Sequence, residues 1–270
     1  MTPKIPRFHR QRFLLLLLDM AGGKLSKTDF QKMLFLSQKK ANFSYYDFVP
    51  YHYDCYSFQM QSDIDLLESY GWLKQKARNI MLLAKPKACL KDNELTAIKK
   101  FTIPGKLSIK ALNKVSYKKV HTEKSKLKCL YTIGYEGLSF ESYANRLLEY
   151  DVRLLCDVRK NPLSRKFGFS KGILSRLLPK LNIEYRHLPD LGIQSIRRKS
   201  LHTAEDYEQL FKVYKKELPQ KKQSLQLLEK WYNKYERIAI FCFEKAYHSC
   251  HRHCISDYLK NKHNIKSCHI

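Results

Sequence analysis

Short apolar runs alternate with amphipathic stretches over the second half of the chain. Apolar strands are predicted near residues 129–133, 153–158, 183–187, 237–243 and 265–269. Helices with apolar positions three and four apart are predicted between them, near residues 138–150, 170–180, 204–217, 223–235 and 250–261. Such alternation is typical of a mostly parallel sheet covered on both faces. Residues 128–270 are therefore predicted to form a doubly wound α/β domain.

Residues 8–85 have a different pattern, which predicts a small, mainly α, winged-helix-like domain. Helices are predicted over residues 11–20, 27–40 and 57–70, and two short strands follow near 72–73 and 80–83. In winged helix-turn-helix proteins the last helix enters the DNA major groove and the wing contacts phosphates. The residues predicted to face DNA are Ser57, Gln59, Gln61, Ser62, Lys74, Lys76 and Arg78. Three-helix modules also bind protein partners, and that alternative stays open.

The segment between the two domains, residues 86–127, is rich in lysine and is predicted to be a basic connector. Pro86 and Pro104-Gly105 interrupt regular structure, and one short helix is predicted over residues 108–115. A solvated linker is the favoured interpretation, ahead of a segment that contacts a phosphate backbone.

The chain is strongly basic, with 51 Lys and Arg against 25 Asp and Glu and a formal net charge of +26. Divided at Lys126, the first part has 24 basic against 10 acidic residues (+14) and the remainder has 27 against 15 (+12). A field of this size favours polyanions. We therefore expect nucleic acid as a partner, with DNA favoured and a nucleotide-like small molecule as a further ligand. A lysine-rich proteome with ordinary solvated faces is the alternative.

The eight cysteines and the lack of long apolar runs bear on location. No secretory signal is recognised, and no apolar run approaches the roughly 20 residues that span a bilayer. A cytoplasmic protein with reduced thiols and no membrane partner is expected. The sequence leaves open whether the chain forms a homodimer.

Polar clusters follow the predicted strands at their carboxyl ends, where open parallel sheets bind ligands. The residues predicted to be catalytic are Glu136, Asp157, Glu244, Cys250 and His251. The residues predicted to bind substrate are Tyr135, Arg159, Arg165, His187, Cys242 and Arg252. Carboxylates beside an anion-binding helix start are suited to glycosidic chemistry on a nucleoside. The alternative is that Asp157–Arg159 and Glu244–Arg252 are structural ion pairs.

Two other chemistries compete at the last helix. Cys250 at a helix start could act as a thiolate nucleophile. No cofactor is predicted, but if a divalent metal binds, the ligands expected from the sequence are Cys250, His251 and Cys254.

Several motifs of the second half occur together in one family. The motifs are Thr132-Ile-Gly-Tyr-Glu-Gly137, Asp157-Val-Arg-Lys-Asn-Pro-Leu-Ser-Arg165, Phe167-Gly-Phe-Ser170, Glu184-Tyr-Arg-His-Leu-Pro189, Cys242-Phe-Glu244 and Cys250-His-Arg252. In this order they resemble the family known as domain of unknown function 488. The resemblance implies an α/β nucleotide-handling domain with no agreed reaction.

A second, shorter resemblance lies in the N-terminal module. The segments Phe30-Gln-Lys-Met-Leu-Phe-Leu36, Tyr51-His-Tyr-Asp-Cys-Tyr-Ser-Phe-Gln59 and Leu66-Leu-Glu68 are similar to the SocA-like (Panacea) domain of antitoxins and related regulators. Asp54-Cys55 stands where that family usually has Gly-Pro.

The leading hypothesis is an enzyme that acts on a nucleotide or on a base within nucleic acid. On this hypothesis Glu136→Gln or Asp157→Asn removes activity and leaves folding intact. The alternatives are a non-catalytic DNA-binding regulator that senses a nucleotide-like ligand, and an antitoxin- or defence-associated scaffold.

Overall fold

The chain consists of two compact units, Met1–Lys119 and Val120–Ile270, in a computed structural model. The structure describes residues 3–51, 55–86, 91–99, 102–103, 106–107, 127–198 and 201–270. Each unit buries its own hydrophobic cluster. The two are described separately below as the N-terminal and C-terminal units.

Three helices form the body of the N-terminal unit: α1 (His9–Met20), α2 (Lys27–Ala41) and α3 (Phe58–Ser69). Serine caps begin two of them, because Ser26 Oγ accepts the Asp29 N–H at 3.0 Å and Ser57 Oγ accepts the Met60 N–H at 3.2 Å. The helices bury Phe13, Phe30 and Ile64 in one cluster. The predicted mainly helical N-terminal region is confirmed.

A small antiparallel sheet completes this unit. Its strands are β1 (Lys24–Ser26), β2 (Leu73–Lys76) and β3 (Asn79–Leu82), in the order β1-β3-β2. The hairpin of β2 and β3 corresponds to the predicted wing. The β1 strand was not predicted, because three residues after a Gly-Gly pair carry too little pattern to show a strand.

Part of the predicted connector is folded against the N-terminal unit. Helix α4 (Asp92–Lys99) is followed by the strands β4 (Thr102–Ile103) and β5 (Lys106–Leu107). Glu94 of α4 is completely buried, where it hydrogen-bonds His9 Nε2 at 2.9 Å and the Tyr45 hydroxyl. The interpretation of this part as a solvated linker is therefore wrong. The helix predicted over 108–115 lies outside the described residues.

The C-terminal unit alternates strands and helices as predicted. Its strands are β6 (Cys129–Gly134), β7 (Leu154–Asp157), β8 (Glu184–His187), β9 (Arg237–Cys242) and β10 (Ser267–His269). Its helices are α5 (Phe140–Glu149), α6 (Lys171–Leu177), α7 (Ala204–Glu217), α8 (Lys222–Tyr235) and α9 (Arg252–His263).

These strands form one five-stranded sheet in which every neighbouring pair is parallel, in the order β10-β6-β9-β7-β8. The predicted doubly wound α/β fold is confirmed. The chain crosses from β6 to β7 and β8, then returns to place β9 between β6 and β7. Strand β9 is therefore the middle strand of the sheet.

Both faces of the sheet are covered. Alternate residues of β9 point to opposite faces, so this one strand shows what packs on each of them. Ile238 and Ile240 pack in one cluster with Phe211, Leu228 and Leu259 from α7, α8 and α9. On the other face, the Phe241 ring lies 5.3 Å from that of Tyr143 in α5 and 6.3 Å from that of Phe169. Helices α5 and α9, which follow β6 and β9, thus cover opposite faces of the sheet.

Among the described residues, none of the helices combines the length and the apolar character needed to cross a membrane.

Candidate active site

The carboxyl ends of β6, β9 and β7 meet at the switch point of the sheet. The chain leaves β6 toward one face and leaves the neighbouring β9 toward the other, so the loops diverge there. In open α/β sheets such a divergence opens a crevice for a ligand. The segment that follows β9, residues 243–251, is called the site loop below; it joins β9 to α9 and contains the 3₁₀ turn Tyr247–Ser249.

Two thiols and an imidazole lie together where β9 ends and α9 begins. Cys242, Cys250 and His251 are 1%, 1% and 3% exposed, and their sulfur and nitrogen donor atoms lie within 4.8 Å of one another. His251 Nδ1 is 3.8 Å from each of the two sulfurs. Burial raises the pKa of Cys250 well above its usual value. Burial acts to lower the pKa of His251, but Cys250 and the Val158 carbonyl outweigh it and raise that pKa.

Glu244 lies beside this group and connects it to the surface. The Cys242 thiol donates to Glu244 Oε2 at 3.2 Å, and Arg198 donates to Glu244 Oε1 at 3.3 Å. The carboxylate side chain is 23% exposed. Burial opposes its charged form, but hydrogen bonds from Cys250 and Cys242 stabilise the anion, so the pKa of Glu244 is lowered.

Three contacts hold the backbone that carries Glu244. Arg252 is 1% exposed, and its guanidinium donates to the carbonyls of Glu244 and, at 2.8 Å, of Lys245. Glu136 Oε2 accepts the Lys245 N–H at 2.9 Å. Gly134 lies so close that a Cβ there would overlap the Glu244 carbonyl. The predicted role of Arg252 in binding substrate stays a prediction: two of its guanidinium nitrogens bind backbone carbonyls, while its Nε is buried without a hydrogen-bond partner among the described residues. Its contacts with residue 244 are to the backbone carbonyl and not to the carboxylate.

Asp157, which was predicted to be catalytic, forms a buried ion pair, and its catalytic role stays a prediction. Its side chain is completely buried and accepts from Arg159 Nε at 2.8 Å, from Arg159 Nη2 at 2.6 Å and from the Tyr185 hydroxyl at 2.7 Å. Arg159 is 5% exposed and its guanidinium lies 4.5 Å from the Phe241 ring centroid. The carboxylate beside it raises the pKa of Arg159 despite burial. The alternative of a structural ion pair is the arrangement observed for these two residues.

Tyr135 also belongs to the core, so its predicted role in binding substrate is wrong. It is 5% exposed and stacks on Phe169 with ring centroids 4.2 Å apart and planes at 14°. Its hydroxyl accepts from Arg159 Nη1 at 3.3 Å. The ring stack therefore packs against the buried ion pair.

His187 and Arg165 lie farther from the thiols. His187 is half-buried, with Nε2 at 2.9 Å from the Arg159 carbonyl and Nδ1 at 3.4 Å from Lys171 Nζ. These contacts give His187 a structural role at the end of β8. Arg165 is exposed in the loop between β7 and α6 and stays a candidate for substrate binding.

A family comparison covers most of the elements that build this site. Residues 139–259 match the model of DUF488, a domain of unknown function. The resemblance predicted for the C-terminal region is thus confirmed. The DUF488 match includes Asp157, Glu244, Cys250 and His251, whereas Gly134 and Glu136 precede it. Neither a curated protein nor a solved structure matched the chain. The SocA-like resemblance of the N-terminal unit stays a prediction.

The DUF488 region supplies a different donor set from the one that the sequence indicated. The group of close donor atoms contains Cys242, Cys250 and His251 and does not include Cys254. Cys254 is also buried, but its sulfur lies 3.2 Å from His253 Nε2 and is not part of the group. Cys254 was predicted to be a metal ligand because it lies four residues after Cys250 on a helix. In the folded chain, Cys242 at the end of β9 takes that place beside Cys250 and His251.

Sequence reasoning missed two partners in the DUF488 region. Arg198, which pairs with Glu244, lies in the 3₁₀ segment Ser195–Arg198. Tyr185 binds Asp157 from β8. Tyr185 lies in a motif that the sequence analysis singled out, two residues before His187. Residues two apart on a strand share a face, so this spacing could have placed Tyr185 on the same side as His187. For Arg198 the sequence contains no such signal.

The residues predicted to contact DNA lie in the N-terminal unit and differ in exposure. Ser57 is completely buried as the cap of α3, so the prediction that it faces DNA is wrong. Gln61 is partly exposed and donates to Asp65 at 2.8 Å and to Gln75 at 3.0 Å. Gln59 and Ser62 are partly exposed, and the wing residues Lys74, Lys76 and Arg78 are exposed.

Proposed function

We propose that the C-terminal unit is a hydrolytic enzyme that acts on a nucleotide or on a base within nucleic acid, with Glu244 as its acid–base group. The observation that carries the proposal is the position of Glu244. This carboxylate follows the middle strand at the switch point, touches the buried Cys242 thiol at 3.2 Å and still reaches the surface. General acids and bases work from partly buried positions of this kind, because burial strengthens their coupling to a reacting group.

A groove beside the site loop supports a nucleotide as the substrate. It has a volume of about 720 Å³, and its lining includes Tyr207, Phe211, Lys212, Lys215, His248 and His253. His248 and His253 flank Cys250 and His251 in sequence. Aromatic rings that accept a base and lysines that accept phosphates are the groups with which proteins bind single nucleotides or strands.

Glycosidic hydrolysis uses two carboxylates, and the second one here is Glu136. The proposal does not use Asp157, which forms a buried ion pair with Arg159. Glu136 is exposed and already contacts the site loop through the Lys245 N–H, the residue next to Glu244. The proposal therefore keeps the carboxylate chemistry expected from the sequence but transfers it to Glu136 and Glu244.

The N-terminal unit would bring the enzyme to nucleic acid through its wing. Lys74, Lys76 and Arg78 are exposed on the β2–β3 hairpin. Helix α3 is a weaker candidate for the major groove, because it has no basic residue and it carries Asp65 and Glu68 outside the core. The wing is accordingly the part of this unit that we expect to contact phosphates.

The test is mass spectrometry of free bases and nucleosides after incubation of the full chain with DNA, RNA and a nucleotide mixture. Wild-type protein is expected to release or alter a base. Glu244→Gln keeps the shape of the side chain and removes its acid–base capacity, so the rate should fall roughly 100- to 10,000-fold.

The matched control is Glu217→Gln, because Glu217 also pairs with an arginine, Arg197 at 2.8 Å, but on the surface of α7. This variant should retain the wild-type rate. Unchanged nucleic acid and nucleotides with the wild-type protein, or an equal loss in both variants, would contradict the proposal.

A further inference from the structure

Three soft or borderline metal ligands meet in the C-terminal unit, one from the end of β9 and two neighbouring residues from just before the start of α9. Cys242 ends β9, Cys250 lies in the site loop and His251 directly precedes α9. We propose that Cys242 Sγ, Cys250 Sγ and His251 Nδ1 bind one zinc ion. The inference concerns metal binding itself; the catalytic use of the metal rests on the function proposed above.

The separations between the donor atoms fit a tetrahedral ion. Zinc bonds of about 2.3 Å to sulfur and about 2.0 Å to nitrogen, at tetrahedral angles, place sulfur and nitrogen about 3.6 Å apart. The distances from His251 Nδ1 to the two sulfurs are 3.8 Å and 3.8 Å. Small side-chain movements would therefore be enough to bring the three donor atoms to bonding distance.

The backbone of β7 orients the imidazole for this role. His251 Nε2 lies 3.1 Å from the Val158 carbonyl, which can only accept a hydrogen bond. The proton is therefore on Nε2, and the lone pair of Nδ1 is directed toward the two thiols. Metal-binding histidines are commonly fixed by such a hydrogen bond to a backbone carbonyl, because it sets the tautomer and the ring orientation.

Burial favours a metal over an isolated group of thiols. All three side chains are at most 3% exposed, and the ring of His251 also packs edge-on against Tyr214 at 5.6 Å. A buried imidazole and two thiols offer their lone pairs to a single divalent cation, which binds them together when the thiols lose their protons. Sulfur and imidazole ligands select zinc over magnesium or calcium.

Three protein ligands leave a fourth position on zinc, as in catalytic zinc sites. Glu244 lies beside the proposed ligands, with Oε2 3.2 Å from Cys242 Sγ. A zinc ion held by these three residues would supply a Lewis acid and would activate a bound water molecule, and Glu244 would be the carboxylate placed beside it.

The test is the zinc content of the full chain, purified with a reductant and without added chelator, measured by elemental mass spectrometry. About one zinc per chain is expected for the wild type. Cys250→Ser and His251→Gln should lose most of it. The matched control is Cys254→Ser, since Cys254 is also 1% exposed and lies in the adjacent turn of α9 but outside the donor group.

A second measurement keeps the test decisive if a variant does not fold. Wild-type protein stripped of metal is titrated with cobalt(II), and a thiolate-to-cobalt charge-transfer band that zinc then abolishes is expected. No stoichiometric zinc and no such band in the wild type would overturn the proposal, as would equal zinc loss in Cys254→Ser and Cys250→Ser.

The outcomes separate the metal from the function. The Glu244→Gln protein is expected to retain zinc but to lose the ability to release or alter a nucleobase. Zinc without base chemistry in the wild type would leave the metal site standing and contradict the proposed function. Release or alteration of a nucleobase by a wild-type protein that binds no zinc would support the proposed function and overturn the zinc site.

Discussion

The carboxylate of Asp157 is completely buried and accepts hydrogen bonds from Arg159 and Tyr185. A buried charge is tolerated when an opposite charge and further hydrogen bonds satisfy it. Removing one partner leaves the other charge uncompensated, which costs far more than the pair itself contributes. At the scale of single residues, the side chains of this site therefore fall into two groups. Some, like Asp157, are buried with all their hydrogen bonds made inside the protein, and others, like Glu244, still reach the surface.

Asp157→Asn is expected to destabilise the C-terminal unit. The buried guanidinium of Arg159 would lose its counter-charge, so the free energy of unfolding should fall by about 3–5 kcal/mol. Urea denaturation followed by circular dichroism measures this change.

Tyr185→Phe provides the comparison, because it removes one hydrogen bond to the same carboxylate and leaves the ion pair in place. Its cost should be about 1 kcal/mol. If the Asp157→Asn protein is fully stable but no longer releases or alters a nucleobase, Asp157 has a catalytic role.

At the scale of elements, the decisive contact is between the end of β6 and the site loop. Gly134 faces the Glu244 carbonyl, and Arg252 and Glu136 bind the same stretch of backbone. The loop that carries Glu244 is thus held from a neighbouring strand, from its own helix and from the turn that follows β6. Its position depends on close packing of backbone against backbone.

Gly134→Ala is expected to disturb this loop. The added methyl group would overlap the Glu244 carbonyl, so backbone must move, and the free energy of unfolding should fall by about 3 kcal/mol. Thermal and urea unfolding measure the loss, and elemental analysis should show reduced zinc because the loop also carries Cys250.

Gly172→Ala is the control for this substitution. Gly172 lies in α6 with open space around its Cα, so a methyl group there should stabilise the helix by about 0.5 kcal/mol. Equal stability of the Gly134→Ala protein and the wild type would mean that the loop adapts without cost.

The elements themselves were accessible from the sequence, and their side-chain partners were not. Period-two and period-3.6 patterns depend on local neighbours, so they located β9 and α7 closely. The chemical types at the strand ends were also visible. Which atoms meet depends on the path of the site loop and on strand order. The loop folds Cys250 and His251 back onto Cys242, and β7 beside β9 places the Val158 carbonyl against His251. The Asp157–Arg159 ion pair was one of the alternatives drawn from the sequence, but no local pattern shows that the pair is completely enclosed by the fold.

At the scale of the whole molecule, the excess of basic residues is large and is shared by both units. The charge is +14 before residue 127 and +12 after it, from the counts 24 against 10 and 27 against 15. Each lysine or arginine that meets a phosphate releases a counterion, so binding to a polyanion should weaken steeply with salt. Charge alone does not say which surface makes the contacts.

The triple variant Lys74→Ala, Lys76→Ala, Arg78→Ala locates these contacts. If all three side chains touch phosphates, the slope of log affinity against log salt should become shallower by about 2.7. Fluorescence anisotropy with a labelled duplex over a range of salt concentrations measures it.

A second triple variant, Lys222→Ala, Lys230→Ala, Lys262→Ala, removes the same charge from exposed positions of the C-terminal unit. This second variant should make the slope of log affinity against log salt shallower by less than the first variant does. Equal slopes for the two variants would assign the salt dependence to net charge, and a wild-type affinity that does not change with salt would exclude phosphate contacts.

The position of β9 also determines when the site can form during synthesis on the ribosome. Until residues 237–242 emerge, the described part of the sheet consists of a β7–β8 pair and a separate β6 strand, because the neighbours of β6 in the sheet are β9 and β10. The nascent unit must wait with unpaired strand edges, which are prone to aggregation. Entry of β9 then joins the two parts through contacts distant in sequence, a slow step in folding. Closing the sheet and assembling Cys242 with Cys250 and His251 are consequently one late event.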